Sequence, residues 1–326
     1  MRSVTTSLRI GAGLLLCALT LSAPPSLAQP WPQRPVRLIL PLGPGSGADI
    51  GARLFADRFA KRWSQPVVVE NRPGADGVVA INAFINAADD HTLLFGPSSS
   101  FVGHPYLHDK MPYDRRDLSP VARISNTLVS IAAPASLSVA SVKDLLEMAR
   151  AHPGKLNWAT STGVTDIIVA GYLKSAGIDM AKVPYRDTVQ ALNDLAESRI
   201  HFYGAALAIV RPQVQAGRIK LLAITNRERA PDAPDLPTVA EAGFPELSFD
   251  GLVGLYGPRD MREDVRRHIA AEVRAVAEDP EIRTRLTASG QLLRPGTAAE
   301  FAASIDEQAA RLAEFATALG IKAAQH

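Results

Sequence analysis

The stretch that decides the fold is VRLILPLGPGSGADIGARLF, Val36 to Phe55, where an apolar run stops at a turn of glycine, proline and serine and resumes with helical spacing. Val36 to Leu40 reads as a buried strand. From Ala48 to Trp63 the apolar residues share one helical face, with Phe55, Phe59 and Trp63 four apart. Strand, tight turn and helix make the unit of an open α/β sheet, whose ligand crevice lies outside the strand C-termini. Gly43, Gly45 and Gly47 let a ligand approach the backbone there, while the free amides and dipole of the next helix favour an anion. The turn is not a known nucleotide loop: it lacks the lysine of a phosphate-binding loop, and its glycines follow G-x-G-x-G rather than G-x-G-x-x-G. An ordinary tight turn is the competing reading. Asp49 suits that one best, because a carboxylate in a helix's first turn stabilises the dipole but repels an anion unless turned aside.

The same alternation runs outward from this unit. A strand is expected over Pro66 to Glu70, a helix over Gly77 to Ala88 and a strand over Thr92 to Phe95. Further on, Ser141 and Asp144 open a helix with a capping-box pattern, and His152-Pro153-Gly154 ends it. A strand (KLNWAT), a polar turn (STGVT) and a helix through Leu173 follow. Then come a strand near KVPY, a helix from Asp187 to Glu197, and strands at IHFYG and IKLLAIT. The fold expected is α/β and two-lobed, each lobe a mostly parallel sheet flanked by helices, with a ligand cleft between the lobes. Residues 29–130 with 250–326 make the first lobe and 131–249 the second. The proline-rich stretch Ala230 to Pro245 reads as a surface connection holding one short helix. Helices over about Glu263 to Glu278 and Ala298 to Leu319 close the chain and pack on the first lobe.

Composition narrows the function classes. The 326 residues are 47% apolar and 21% charged, ample for a core. Arg2 and Arg9 precede an apolar run from Ile10 to Leu21, and Ser26-Leu27-Ala28 is a small-x-small cleavage site, so residues 1–28 read as a secretory signal peptide and the mature protein as periplasmic. Without the leader, 33 basic residues face 33 acidic ones, and no basic cluster supports a nucleic-acid partner. Cys17, the single cysteine, falls inside the leader behind Leu16, which argues against a lipid anchor and leaves no thiol for disulfides, catalysis or soft metals.

Two further polar turns follow strands: FGPSSS and ATSTGVT. Ser98, Ser99, Thr160, Ser161, Thr162 and Thr165 offer hydroxyls that can hold a carboxylate without a buried counter-charge, with helix capping as the competing explanation. Catalytic constellations are weak. GPSSS is not a nucleophile elbow. His104 and His108 have i, i+4 spacing, but Pro105 is expected to disrupt the helix start and no metalloprotease glutamate follows His104, so no metal site is expected; most histidines read as surface or capping residues. Binding is favoured over chemistry.

At this point the chain resembles the periplasmic solute-binding receptors of tripartite tricarboxylate transporters, the Bug receptors, along essentially its whole mature length. The segments that carry the resemblance include WPQRPVRLILPLGPGSGADIGARLFADRF, QPVVVENRPGADGVVA, MPYDRRDLSPVARI, KVPYRDTVQALNDLAESRI and LPTVAEAGFPEL. The resemblance implies a type II periplasmic-binding fold that closes on a small carboxylate-bearing solute and hands it to membrane permease subunits. It implies no cofactor and no catalysis, and the protein is expected to be a monomer. By position it assigns Leu42, Gly43, Pro44, Gly45, Ser46, Gly47 and Asp49 to the first ligand loop, Ser98 and Ser99 to the next turn, and Thr160, Ser161, Thr162, Gly163 and Thr165 to the other lobe. Three departures bear on specificity. The family's double proline with double glycine is here Leu42-Gly43-Pro44-Gly45; its customary glycine after the VPY-basic run is Asp187; and an aspartate common at the end of a later strand is replaced around Tyr203-Gly204. Asp187 reads either as a rim charge that disfavours tricarboxylates or as a helix N-cap, and Tyr203 is placed to stack on a ring or bond a polar end. Hinges are expected near Thr127 to Ala133 and Ser248 to Tyr256. A ligand-presenting sensor for a membrane kinase and an exported hydrolase are the rival functions.

Overall fold

The computed structural model describes residues 31–324 except Pro112 and Arg186; the leader lies outside the described residues. The chain begins with β1 (Val36–Leu40), α1 (Gly47–Trp63), β2 (Val67–Asn71), α2 (Val78–Ala87), β3 (Thr92–Pro97), α3 (Ser99–Leu107) and β4 (Ser119–Thr127). It continues through β5 (Val129–Pro134), α4 (Val142–Ala151), β6 (Asn157–Thr160), α5 (Gly163–Ser175), β7 (Ala181–Lys182), α6 (Thr188–Ala196), β8 (Phe202–Ala206), α7 (Leu207–Gln215) and β9 (Ile219–Ile224). It ends with β10 (Gly251–Gly257), α8 (Glu263–Ala277), α9 (Pro280–Ala288), β11 (Gln291–Gly296) and α10 (Ala298–Leu319).

Two sheets result, ordered β11-β4-β10-β3-β1-β2 and β7-β6-β8-β5-β9. β1 pairs in parallel with β2 and β3, and β6 with β7 and β8. The expectation of mostly parallel sheets needs amending, for both are mixed. β10 is antiparallel to β3 and β4, β11 to β4, and β5 to β8 and β9. The cause is the route of the chain. β5 and β10 are the strands on which it arrives from the other sheet, so each enters where the parallel strands end and runs back against them.

Local signals explain the elements. Val36, Leu38, Ile39 and Leu40 have no exposed surface, as expected for a strand covered on both faces. In α1 the rings of Phe59 and Trp63 stack at 4.4 Å, and Phe55 meets Phe59 edge-on at 5.7 Å. Burial of each such ring contributes about 1.5–3 kcal/mol. The capping box of α4 is complete: the Ser141 side chain accepts from the Asp144 amide and the Asp144 carboxylate accepts from the Ser141 amide. Thr297 and Glu300 cap α10 in the same way, and Gly320, at φ 77°, ends it in the left-handed region.

Two expectations are corrected. The short helix expected in Ala230 to Pro245 does not form. Thr238 and Glu241 do exchange capping bonds, but the turn they start ends at Gly243 (φ 90°), and only a 3-10 turn at Pro245–Leu247 follows. The tail helices also divide differently. α8 packs on α1 and β4 as expected, whereas α10 lies on β4 and also along α3 and α5, so it touches elements of both sheets. Gly171 makes this possible, since a Cβ there would stand 2.5 Å from Phe315 Cδ1.

Candidate ligand-binding site

The glycine turn joins β1 to α1 and is held from beneath by a polar network. Asp49 is almost wholly buried; its Oδ2 accepts from the Gly45 amide (2.9 Å) and from Arg53 Nε (3.1 Å), and its Oδ1 accepts from Asn71 Nδ2 (2.8 Å). Asn71 Nδ2 also reaches the Leu42 carbonyl (2.9 Å), and Arg53 Nη2 donates to Asn71 Oδ1 (2.8 Å). Burial pushes the Asp49 carboxyl up, but the bonds from Arg53, Asn71 and the Gly45 amide outweigh it and hold the group below its ordinary value. The carboxylate is thus tied into the network, which is the condition under which the turn can accept an anion despite Asp49. Ser46 caps α1, its hydroxyl accepting from the Asp49 amide (3.2 Å), while the amides of Gly47 and Ala48 open the helix and have no intrahelical partner.

The three glycines differ. A Cβ on Gly43 or Gly45 would meet nothing within 4 Å, and Gly45 sits at φ 84°. A Cβ on Gly47 would stand 2.7 Å from Gln291 Nε2 and 2.8 Å from the Ser289 carbonyl, so this glycine serves close packing against the start of β11. The open cradle is therefore Gly43 to Gly45, with Pro44 exposed and Leu42 half-buried at its edge.

The other turns follow β3, β6 and β8. Ser98 has no exposed surface, and its hydroxyl bonds Gln308 of α10 (3.1 Å) instead of capping α3 or facing solvent; Ser99 is half-buried. Thr160 donates to Asp166 Oδ1 (2.5 Å), and Asp166 pairs with Lys182 (2.7 Å). Thr162 caps α5, and the buried Thr165 hydroxyl donates to the Thr162 carbonyl (2.8 Å). Gly163 is closed off by Leu107, whose Cδ1 would lie 2.7 Å from a Cβ. Ser161, half-buried, and Thr162, exposed, are the accessible hydroxyls of this turn, which the Ser161 amide ties to the Gly204 carbonyl of β8 (2.9 Å).

Tyr203 departs from expectation. It is 1% exposed, in a cluster with Ala132, Ala159, Ala191, Leu192 and Leu195, so its ring presents no face to a ligand. Side chains alternate along a strand, which turns Tyr203 towards α6. Asp187 is exposed and caps α6, accepting from the Val189 amide (2.8 Å). Replacing Asp187 by Gly is expected to cost a few tenths of a kcal/mol and to leave the ranking of mono-, di- and tricarboxylates in a thermal-shift panel unchanged; a gain for tricarboxylates would restore the rim-charge reading. Asn71 and Arg53 are the contributors that sequence reasoning did not single out. The i, i+4 spacing of Asp49 and Arg53 was the available signal for one of them.

A cavity of about 160 Å³ lies elsewhere, where the chain crosses between the sheets. Arg123, Arg227, Arg294 and Arg311 line it, together with part of α10. Its arginines are already engaged: Arg227 with Glu307, Arg294 with Glu228, Arg311 with the Ser248 carbonyl and Arg123 with the Arg294 carbonyl. The strand-end turns, with helix-start amides and open glycines, are better suited to a ligand than these cations, each of which already holds a carboxylate or a carbonyl.

Two α/β lobes with glycine and hydroxyl turns at the ends of their parallel strands define a solute-binding protein of the periplasmic-binding class. Among the described residues no helix is long and apolar enough to cross a membrane. Residues 51–321 match the tripartite tricarboxylate transporter family receptor, and the chain belongs to that family. A UPF0065 protein of Bordetella bronchiseptica is 29% identical over 292 residues, 89% of this chain and 87% of its own. Among solved structures, R. palustris Rpa4515 with adipate is 28% identical with a TM-score of 0.76, covering 90% of this chain and 99% of its own. MatC from Rhodopseudomonas palustris with bound malate is 27% identical with a TM-score of 0.71, covering 87% and 99%.

Proposed function

We propose that this protein is a periplasmic receptor that captures a small carboxylate-bearing solute between its lobes, without turnover, and delivers it to the membrane subunits of a tripartite tricarboxylate-type transporter. The observation that carries the reading is the glycine turn. Gly43 and Gly45 face open space at the N-terminus of α1, and the Asp49 carboxylate beside them is tied down by Asn71, Arg53 and the Gly45 amide. Backbone amides at a helix start suit an anion, and the adipate and malate found in two similar structures are dicarboxylates. Ser161 and Thr162 supply hydroxyls from the second lobe. Closure would move residues 131–249 against the rest about the crossings at Leu128 and between Ile224 and Gly251, driven by the ligand's contacts with both lobes.

The test is Gly43→Val with adipate, malate and citrate as probes. A ligand at about 100 times its dissociation constant adds roughly 2.7 kcal/mol of stability. Wild-type protein is expected to melt higher with a dicarboxylate and to release no product. Because nothing stands within 4 Å of the added Cβ, the variant should melt near wild type without ligand, yet bind at least about tenfold more weakly (~1.4 kcal/mol). A flat carboxylate panel for wild type, or unchanged binding by Gly43→Val, would overturn the assignment.

A further inference from the structure

His104 lies in α3 and His108, four residues on, is its C-cap; the helix starts at Ser99 and continues through Pro105 to Leu107, so the disruption expected at Pro105 does not occur, for in the last turn a proline removes only its own amide bond. The spacing therefore brings both rings to one face, with centroids 4.9 Å apart. The turn after β2 adds Asp76, and one donor atom each from Asp76, His104 and His108 lie within 4.8 Å of one another. His104 is wholly buried, contrary to a surface or capping role. Its Nδ1 is 2.8 Å from Tyr113 Oη, and its Nε2 is 3.0 Å from the Asp76 carbonyl and 3.6 Å from Asp76 Oδ2. His108 Nε2 is enclosed and has no hydrogen-bond partner among the described residues. An enclosed ring nitrogen left in this state is destabilising, so a group that engages it is favoured there.

We propose that Asp76, His104 and His108 form a site for a divalent transition metal of the zinc type, a property separate from carboxylate binding. The donor set is two imidazoles and one carboxylate, which suits a borderline cation better than Mg²⁺ or Ca²⁺, and three protein ligands leave a fourth position for water. Tyr113 supplies the outer support: with Nδ1–H donating to its oxygen, His104 presents the Nε2 lone pair to the metal in place of the bond to the Asp76 carbonyl. Asp76 is 54% exposed, which gives the ion a path in and the carboxylate room to swing onto it. The bound ion ties the turn after β2 to α3, whose first residues adjoin the ligand turn at Ser98 and Ser99.

The experiment uses purified protein freed of metal with EDTA, titrated with Zn²⁺ by calorimetry and with Co²⁺ by visible absorption. One saturable equivalent, a higher melting temperature and a Co²⁺ spectrum of tetrahedral intensity are expected. His108→Ala removes no hydrogen bond at Nε2, so it should fold, yet it should weaken Zn²⁺ by more than the roughly 10–100-fold that loss of an outer-shell partner costs; Tyr113→Phe should fall within that range. Absence of saturable binding, or equal binding by wild type, His108→Ala and Asp76→Asn, would overturn the site. Carboxylate binding by metal-free His108→Ala should match that of metal-free wild type, which keeps this outcome distinct from failure of the receptor reading.

Discussion

Asp49→Ala is expected to lower the unfolding free energy by roughly 3 kcal/mol at neutral pH, because it deletes a buried charged acceptor that serves three donors and leaves the Gly45 amide and Asn71 without it. Arg53→Ala should cost under about 1 kcal/mol, since that guanidinium is 52% exposed and its pair is screened. The same pair of variants separates shape from charge in binding. If the network holds the glycine turn in its ligand-ready form, Asp49→Ala weakens the ligand in calorimetry well beyond Arg53→Ala. The effect also carries a pH signature. The Asp49 pKa is lower folded than its ordinary 3.8, so its contribution is fully present above that value and is lost as pH falls through the folded value. The stability gap between wild type and Asp49→Ala in urea melts should therefore narrow below about pH 4. A gap that stays constant to lower pH would remove the ionic account of this network.

Gly171→Val is expected to cost about 1–3 kcal/mol of stability and to weaken the ligand as well. The new Cβ would fall 2.5–2.8 Å from Cδ1, Cβ and Cγ of Phe315, and the Cβ of Phe315 is fixed by the backbone and cannot rotate away, so α5 and α10 must separate. α5 begins at the hydroxyl turn Thr160 to Thr165 and α10 lies on β4, so this seam joins elements of the two sheets. Widening it disfavours the closed arrangement, and apparent affinity falls by the factor by which the closed fraction falls. Calorimetry with the dicarboxylate found in the wild-type panel reads the affinity, and urea melts read the stability. A loss of stability with affinity unchanged would show that the seam bears no relation to closure. Phe315→Ala combined with Gly171→Val should recover part of the loss, because it removes the clashing ring.

How far the site was legible depended on the residue. Glycines placed between a strand and a helix carry their own signal, and a Cβ on Gly43 or Gly45 would indeed meet nothing within 4 Å. Gly47 and Gly163 look identical in the sequence but are packed against Gln291 and Leu107. Ser98 and Thr165 passed as ligand donors because a hydroxyl's partner is invisible in the sequence; one is spent on Gln308, 210 residues away, the other on the Thr162 carbonyl. Tyr203 was misread for want of its strand's facing direction, which only its neighbours in the sheet define.

By itself the sequence determined the strands and helices from Val36 to Phe95 and from Ser141 to Ile224 apart from α7, the tail helices over Glu263 to Glu278 and Ala298 to Leu319, the capping box at Ser141, and the receptor family; α3, α7, α9 and β11 were not read from it. The features that were read rest on periodicity, capping and short motifs, which act over a few residues. Only the tertiary structure decided that β5 and β10 run against their sheets, that α10 bridges both lobes, that Asn71 and Arg53 lock Asp49 beneath the glycine turn, and that Asp76 joins His104 and His108. Each of those depends on groups brought together by packing or by strand direction across many residues of chain, and neither is written in local spacing.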